Sequence, residues 1–428
     1  MSLFLTIRNI GLGICLGLAF VACGDSKDSE STAIEIEKLE KQAPQARDSH
    51  YVRELLGIEK ETSIFYLLKG KVGGKEQIGY LLIEEHKPIA GIESDTEEIV
   101  IDSDDGEDSQ PLPLYVYIVL PNVWNEELDH YEFLSIPIDS QKLFITKDEK
   151  GRLKISGEWK SELGSEFNNK DWEQKSRMKG KTFIFTQDDT MPLREVSFVN
   201  VKKTQSLENP TQEDLPISFN SSYTRPVILA SKNPMLDSKA LEKLNEQFAE
   251  GAKDTSELAN KLALLTQKDF KKFQAEKYIV DTEYVNSYGV EFVDSRILSL
   301  QVFNYIYGGG AHGVYSTRME SYSLETGERL SNDIGDLLRL DGTNKDALLQ
   351  ILTQKLETPF YKELLFDEVL PLKALPHNFF ITSQGIHFLW RLYEIAPYAA
   401  GEIDVMVGFE ELKPFVNPNS PYAYLFGL

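Results

Sequence analysis

An apolar run from Ile10 to Val21, closed by Phe20-Val21-Ala22-Cys23, limits the fate of this chain more than any other feature. Arg8 and the amino terminus put positive charge ahead of it. A short apolar region ending in small residues is an export signal. It falls short of the roughly 20 apolar residues that a spanning helix needs. Cysteine at the cleavage position turns the signal into a lipobox, although Phe20 stands where Leu is more usual. Residues 1–22 are therefore expected to leave and Cys23 to carry the acyl chains, palmitate among them. The consequence for folding is direct. Of the two cysteines, Cys15 departs with the signal and Cys23 is modified, so no disulfide is available. A core must hold the protein, and 428 residues of 41% hydrophobic composition can supply one, in two domains.

The formal net charge of −23 opposes nucleic-acid binding, which needs a basic footprint, so no such partner is expected. It permits long-range attraction of basic partners, and it also keeps an exported protein soluble.

Composition then divides the chain. Residues 23–50 open with Gly24 and the charged, serine-rich Asp25–Glu30, and read as a flexible tether. Residues 51–205 carry short aromatic and β-branched runs at Ile64–Leu68, Ile78–Ile83, Tyr115–Val119, Lys142–Ile145 and Thr182–Phe185. Glycine-rich breaks separate them, which predicts a β-rich meander, sandwich or barrel-like domain. The acidic stretch Asp102–Asp108 lacks calcium-loop spacing and reads as a solvated loop. Leu207–Pro216 reads as a linker. In residues 206–428, Asp237 caps a helix through Leu241, Leu244 and Phe248, and a second helix covers Ser256–Gln274 with Leu258, Leu262, Leu265 and Phe273 as its buried stripe. Strands are predicted at Tyr278–Tyr284, Val290–Val293, Ile297–Tyr305 and Val314–Leu324, then helices at Lys345–Leu356 and Pro359–Val369. Strands return at Phe379–Thr382, Ile386–Arg391 and Ile403–Val407. The class is α+β, with an antiparallel sheet and packed helices.

Two loops stand out. Gly308-Gly309-Gly310-Ala311-His312-Gly313 follows a strand. Its freed amides suit an anion nest, and its glycines equally suit a hairpin needing positive φ. No helix with a Lys-Ser/Thr pair follows, so it is not a phosphate loop. Tyr393-Glu394-Ile395-Ala396-Pro397-Tyr398-Ala399-Ala400-Gly401 sets two tyrosines around a proline turn, as binding anchors or as cover for the core. The histidines at 50, 86, 130, 312, 377 and 387 show no metal spacing, so no metal or cofactor is expected, and His387 reads as a packed or surface residue. No Gly-x-Ser-x-Gly elbow occurs. The neighbouring carboxylates Glu410-Glu411 and Asp188-Asp189 diverge, unlike a glycosidase pair facing across a cleft.

Taken in order, Ile297–Tyr305, the glycine–histidine loop, Leu324–Leu330, Phe379–Thr382, Gly385–Phe388 and Tyr393–Gly401 make residues 220–416 resemble domain of unknown function 3298, the extracytoplasmic domain of RsiV-like proteins. The resemblance implies an outer domain that binds lysozyme, or one that accompanies a peptidoglycan deacetylase. The chain offers neither a cytoplasmic sigma-binding segment nor an added deacetylase domain. The expectation is a non-catalytic cell-envelope lipoprotein, not an enzyme, that binds a lysozyme-like protein or a peptidoglycan-related glycan. Candidate ligand-binding residues are Gly308, Gly309, Gly310, His312, Tyr393 and Tyr398. Cys23 is the membrane anchor, and Gly24 rather than Asp after it favours the outer membrane or periplasmic face over the inner membrane. An envelope glycan hydrolase and a structural scaffold lipoprotein are the alternatives.

Overall fold

The computed structural model describes residues 49–58, 62–72, 74–85, 114–119, 124–125, 130–131, 135–136, 143–158, 182–208, 216–276, 280–382 and 385–428. The signal, Cys23, the tether up to residue 48 and the acidic stretch 102–108 lie outside them. By packing, described residues 49–125 and 135–188 form one unit and 189–428 another. Among the described residues no helix is long and apolar enough to cross a membrane.

The first unit is a run of antiparallel strands. Its elements are α1 (Ser49–Leu56), β1 (Thr62–Val72), β2 (Lys75–Glu85), β3 (Leu114–Val119), β4 (Ser135–Ile136), β5 (Leu143–Lys147), β6 (Leu153–Glu158) and β7 (Thr182–Gln187). The strand order is β5-β6-β7-β1-β2-β3-β4. Alternation places Ile64, Tyr66 and Leu68 of β1 beside Leu81 and Ile83 of β2 and Phe183 and Phe185 of β7. Val52 and Leu56 of α1 close this core. No closed barrel forms among the described residues, and β6 appears where no strand is predicted, since Leu153-Lys154-Ile155 is too short a run to announce itself.

In the second unit β8 (Glu195–Leu207) pairs antiparallel with the whole of β9 (Ile217–Val227), from Ser197↔Val227 to Leu207↔Ile217. The segment read as a linker thus falls between two paired strands, and its residues 209–215 lie outside the described ones. β9 pairs in parallel with β10 (Thr282–Val293), which pairs antiparallel with β11 (Ile297–Tyr307), and that with β12 (Val314–Ser323). A parallel pair needs a crossover. Here the crossover holds α2 (Ser238–Phe248) and α3 (Thr255–Glu276), the two helices the periodicity predicts. Asp237 caps α2 as its sequence position indicates, accepting from the Lys239 and Ala240 amides at 2.9 and 3.1 Å. On α3, Thr266 is buried rather than Leu265.

Two asparagines pin the crossover's start. Asn233, 1% exposed, accepts from the Arg194 and Glu195 amides at 2.7 and 3.0 Å and donates to the Glu195 and Leu229 carbonyls at 2.9 and 3.1 Å. Asn245 spans the Ile228 amide and carbonyl, both at 2.9 Å. A buried loop can exist only where its backbone groups find such partners.

The remaining core lies between a three-stranded antiparallel sheet and the helices near it. That sheet is β13 (Asn378–Ile381), β14 (Gly385–Trp390) and β15 (Ile403–Gly408). Phe379, Ile381, Ile386, Phe388, Trp390, Val405 and Val407 on one face pack with Leu348, Leu352 and Leu356 of α5 (Gly342–Leu356) and with Leu337 of α4 (Ile334–Leu337). The helix predicted over Pro359–Val369 stops early, as α6 (Pro359–Lys362), and Glu368 beyond it takes φ 68°. Strands, helices and mixed pairing together make the class α+β.

Candidate functional site

The glycine-rich stretch is the connection between β11 and β12. Gly309 and Gly310 hold φ of 97° and 96°, the region that glycine alone enters without strain. Gly308 has no positive φ, and a Cβ added there would meet nothing within 4 Å. Gly313 is different. A Cβ there would stand 2.3 Å from the Tyr305 ring, so only glycine lets β12 begin against that ring.

The second loop follows β14. Arg391 and Glu394 close a turn, with the Arg391 amide donating to Glu394 Oε2 at 2.9 Å and the Glu394 amide to the Arg391 carbonyl at 3.1 Å. Between them Tyr393 sits at φ 64°, a conformation costing a non-glycine residue about 1 kcal/mol, and its side chain is half exposed. Pro397 then leads into a turn at Tyr398–Ala400 that Gly401 ends with φ 76°.

The two loops meet, 81 residues apart in sequence at their joining bond. The His312 imidazole stacks on the Tyr398 ring with centroids 3.7 Å apart and planes 19° from parallel. Tyr393 lies 5.9 Å from Tyr398 between ring centroids, and its hydroxyl is 3.2 Å from His312 Nε2. The Gly313 carbonyl is the hub, accepting from Tyr398 Oη at 2.8 Å and from His312 Nδ1 at 2.9 Å. A carbonyl only accepts, so the neutral imidazole carries its proton on Nδ1, and Nε2 accepts from the Tyr393 hydroxyl. Beneath the stack Tyr315 meets Tyr398 edge-on. Glu402 and Asn378 then occupy the Thr317 amide and carbonyl on β12, at 3.0 and 3.4 Å, which ties the three-stranded sheet to this strand and blunts its edge.

Next to the stack is an open depression of about 300 Å³ that shares Tyr393. His377, Asn378, Leu389, Arg391 and Glu394 also line it. Of the candidates read from sequence, His312, Tyr393 and Tyr398 come together, with Gly309 and Gly310 shaping the turn that carries His312. Gly308 takes no part in the stack, and Cys23 lies outside the described residues. The hub carbonyl and the depression carried no signal in the sequence. His387 itself is 1% exposed, with Nδ1 2.9 Å from Asp404 and its ring 4.4 Å from that of Phe380, a packed core residue. Among the described residues no group of three or more His, Cys, Asp or Glu side chains converges as a metal site would require.

Residues 217–315 match the family described as Deacetylase PdaC, and residues 335–410 match Protein of unknown function (DUF3298). The glycine–histidine loop thus falls in the first match and the Tyr393–Gly401 loop in the second. The DUF3298 resemblance thus holds over residues 335–410, with the motifs Phe379–Thr382, Gly385–Phe388 and Tyr393–Gly401, and not over the whole of 220–416, since Ile297–Tyr305 and the glycine–histidine loop fall in the other match. Among solved structures, a DUF3298 family member from Bacteroides fragilis NCTC 9343 is 19% identical, with a TM-score of 0.39, covering 54% of this chain and 97% of that one. A DUF3298 family protein from Pseudomonas aeruginosa PAO1 is 13% identical, with a TM-score of 0.32, covering 52% and 94%. No curated protein matches the sequence.

Proposed function

We propose that the protein is a cell-envelope lipoprotein, anchored through Cys23, whose second unit binds a peptidoglycan-related glycan without chemically altering it. The His312–Tyr398 stack bridged by Tyr393 carries this reading. A tyrosine on a fixed loop offers a large apolar face at small entropic cost, and its hydroxyl supplies direction. Tyr393 is 53% exposed, yet its backbone turn and its bond to His312 hold it in place. A pyranose ring laid on such a face would keep its hydroxyls within reach of Arg391, Glu394, His377 and Asn378 around the depression. The left-handed strain at Tyr393 supports the same reading, since strain held by its surroundings collects at functional sites.

A lysozyme-like protein is the second reading, favoured by the net charge of −23, which draws in a basic partner. The test is cosedimentation of the full-length protein with purified peptidoglycan, beside pull-down on immobilised lysozyme. Wild type should sediment with the glycan, and Tyr393→Ala should weaken that association about tenfold or more, as loss of an aromatic anchor does. Wild type left in the supernatant, or binding unchanged in Tyr393→Ala, overturns the glycan reading. Retention on lysozyme alone moves the ligand to the protein class, and acetate or sugar released from the glycan contradicts a purely binding role.

A further inference from the structure

The opposite face of the mixed sheet presents a different surface. Strand register puts three rows across it: Tyr284, Ile306 and Val314; then Tyr223, Asn286, Asn304 and Ser316; then Tyr288, Val302 and Arg318, with Arg225 beside Tyr288. The helices lie along its flanks, and within the rows Tyr223, Asn286 and Val302 are buried. α3 lies over Ile217, Phe219 and Tyr223, where Phe273 packs 5.0 Å from Phe219 and Asp269 accepts from the Tyr223 hydroxyl. Phe248 of α2 meets Tyr322 at the far end of β12. Between them Ile306 and Val314 are more than half exposed, Ser316 is exposed, and Tyr284, Asn304 and Arg318 are half buried. The strip therefore runs from apolar through amide to cationic.

Arg225 sits at the cationic end in an unusual state. Its guanidinium lies over the Tyr288 ring at 4.5 Å and 5.7 Å from the Tyr223 ring, and it donates to Asn286, which in turn donates to Asn304. It makes no ion pair among the described residues. Its other N–H groups and the Asn304 amide nitrogen have no protein partner there either. Glu320 is claimed by Arg318, Arg329 and the Tyr322 hydroxyl. The charges acting on Tyr223, Tyr284 and Tyr288 are those of Arg225, Arg318 and Arg329 against Asp269 and Glu320. One positive charge is left over, in a protein of strongly negative net charge. A stacked arginine with free donors is shaped for bidentate recognition of a planar or tetrahedral oxyanion.

We propose that this strip is a second ligand site, which binds an acidic saccharide: the sugar body across Tyr284, Asn304 and Ser316, and its carboxylate or phosphate on the free donors of Arg225. The site does not depend on the tyrosine–histidine stack, which lies by the other face of the sheet. Calorimetric titration of the full chain tests it, with trigalacturonate as the carboxylate probe, glucose 6-phosphate as the phosphate probe and maltotriose as the uncharged one. At least one charged probe should bind, about tenfold or more tightly than maltotriose, and the preference between the two identifies the anion. Arg225→Ala should reduce that affinity about tenfold. Arg225→Lys, which keeps the charge over Tyr288 but loses the fork, should fall between wild type and Arg225→Ala. Tyr393→Ala should bind as wild type does, which separates failure here from failure at the other site. Absence of binding by both charged probes, equal binding of maltotriose, or affinity unchanged in Arg225→Ala and Arg225→Lys overturns the proposal.

Discussion

Asn233→Ala should destabilise the second unit by about 3–5 kcal/mol, an effect usually seen only when a large core side chain is removed. The asparagine fills no large space. Its loss takes the side-chain partner from the Arg194 and Glu195 amides and the Glu195 carbonyl, in a place where Asn233 is 1% exposed and water cannot replace it, while the Leu229 carbonyl keeps the Lys232 and Asn233 amides. Each buried group left without a partner costs about 1–3 kcal/mol, and relaxation returns part of the total. For a unit of this size the thermal midpoint should fall by roughly 10 °C. The Arg194 and Glu195 amides should lose hydrogen-exchange protection first. A variant within 1 kcal/mol of wild type would mean that the segment after β9 finds other partners.

Gly313→Ala should nearly abolish ligand binding at the tyrosine–histidine stack, whereas Gly308→Ala should leave it intact. The contrast follows from geometry. A Cβ at position 313 stands 2.3–2.5 Å from ring atoms and the hydroxyl of Tyr305, and one at position 308 meets nothing. The Tyr305 ring belongs to a β-strand and is 7% exposed, so the chain at position 313 must move instead. That displaces the carbonyl on which both His312 and Tyr398 depend. Binding should fall about a hundredfold, and stability by about 1–3 kcal/mol as in other overpacked sites. Affinity and melting temperature measured on both variants check this. Equal affinities would show that the stack tolerates a shift at its hub.

Most of the second unit's architecture was legible in the sequence because its signals are local. Leu244 and Phe248 behind Asp237 form one helical face, and the β-branched and aromatic run Ile297–Tyr305 reads as a strand at any burial. The parallel pairing of β9 with β10 was not legible, because no short-range pattern distinguishes it from a hairpin. The division between units was hidden for a related reason. The break in composition at Leu207–Pro216 marks a turn between paired strands as readily as a linker. At the candidate site the residue types were readable, but their meeting was not. Periodicity cannot bring His312 to a tyrosine 81 residues away. Nor does it show that Gly313 matters through its carbonyl and Gly308 hardly at all, since both look alike in a glycine run. The buried asparagines escaped for a third reason, because polar residues are read as surface by default.

We propose that a glycan docks on Tyr393, His312 and Tyr398. The imidazole resonances of His312, followed by NMR while soluble peptidoglycan fragments are added to the full-length protein, report on that contact. They should shift along a saturating curve that matches the binding isotherm, and Tyr393→Ala should flatten that curve. Saturable binding with the His312 resonances unmoved would contradict the claim and place the ligand elsewhere on the protein.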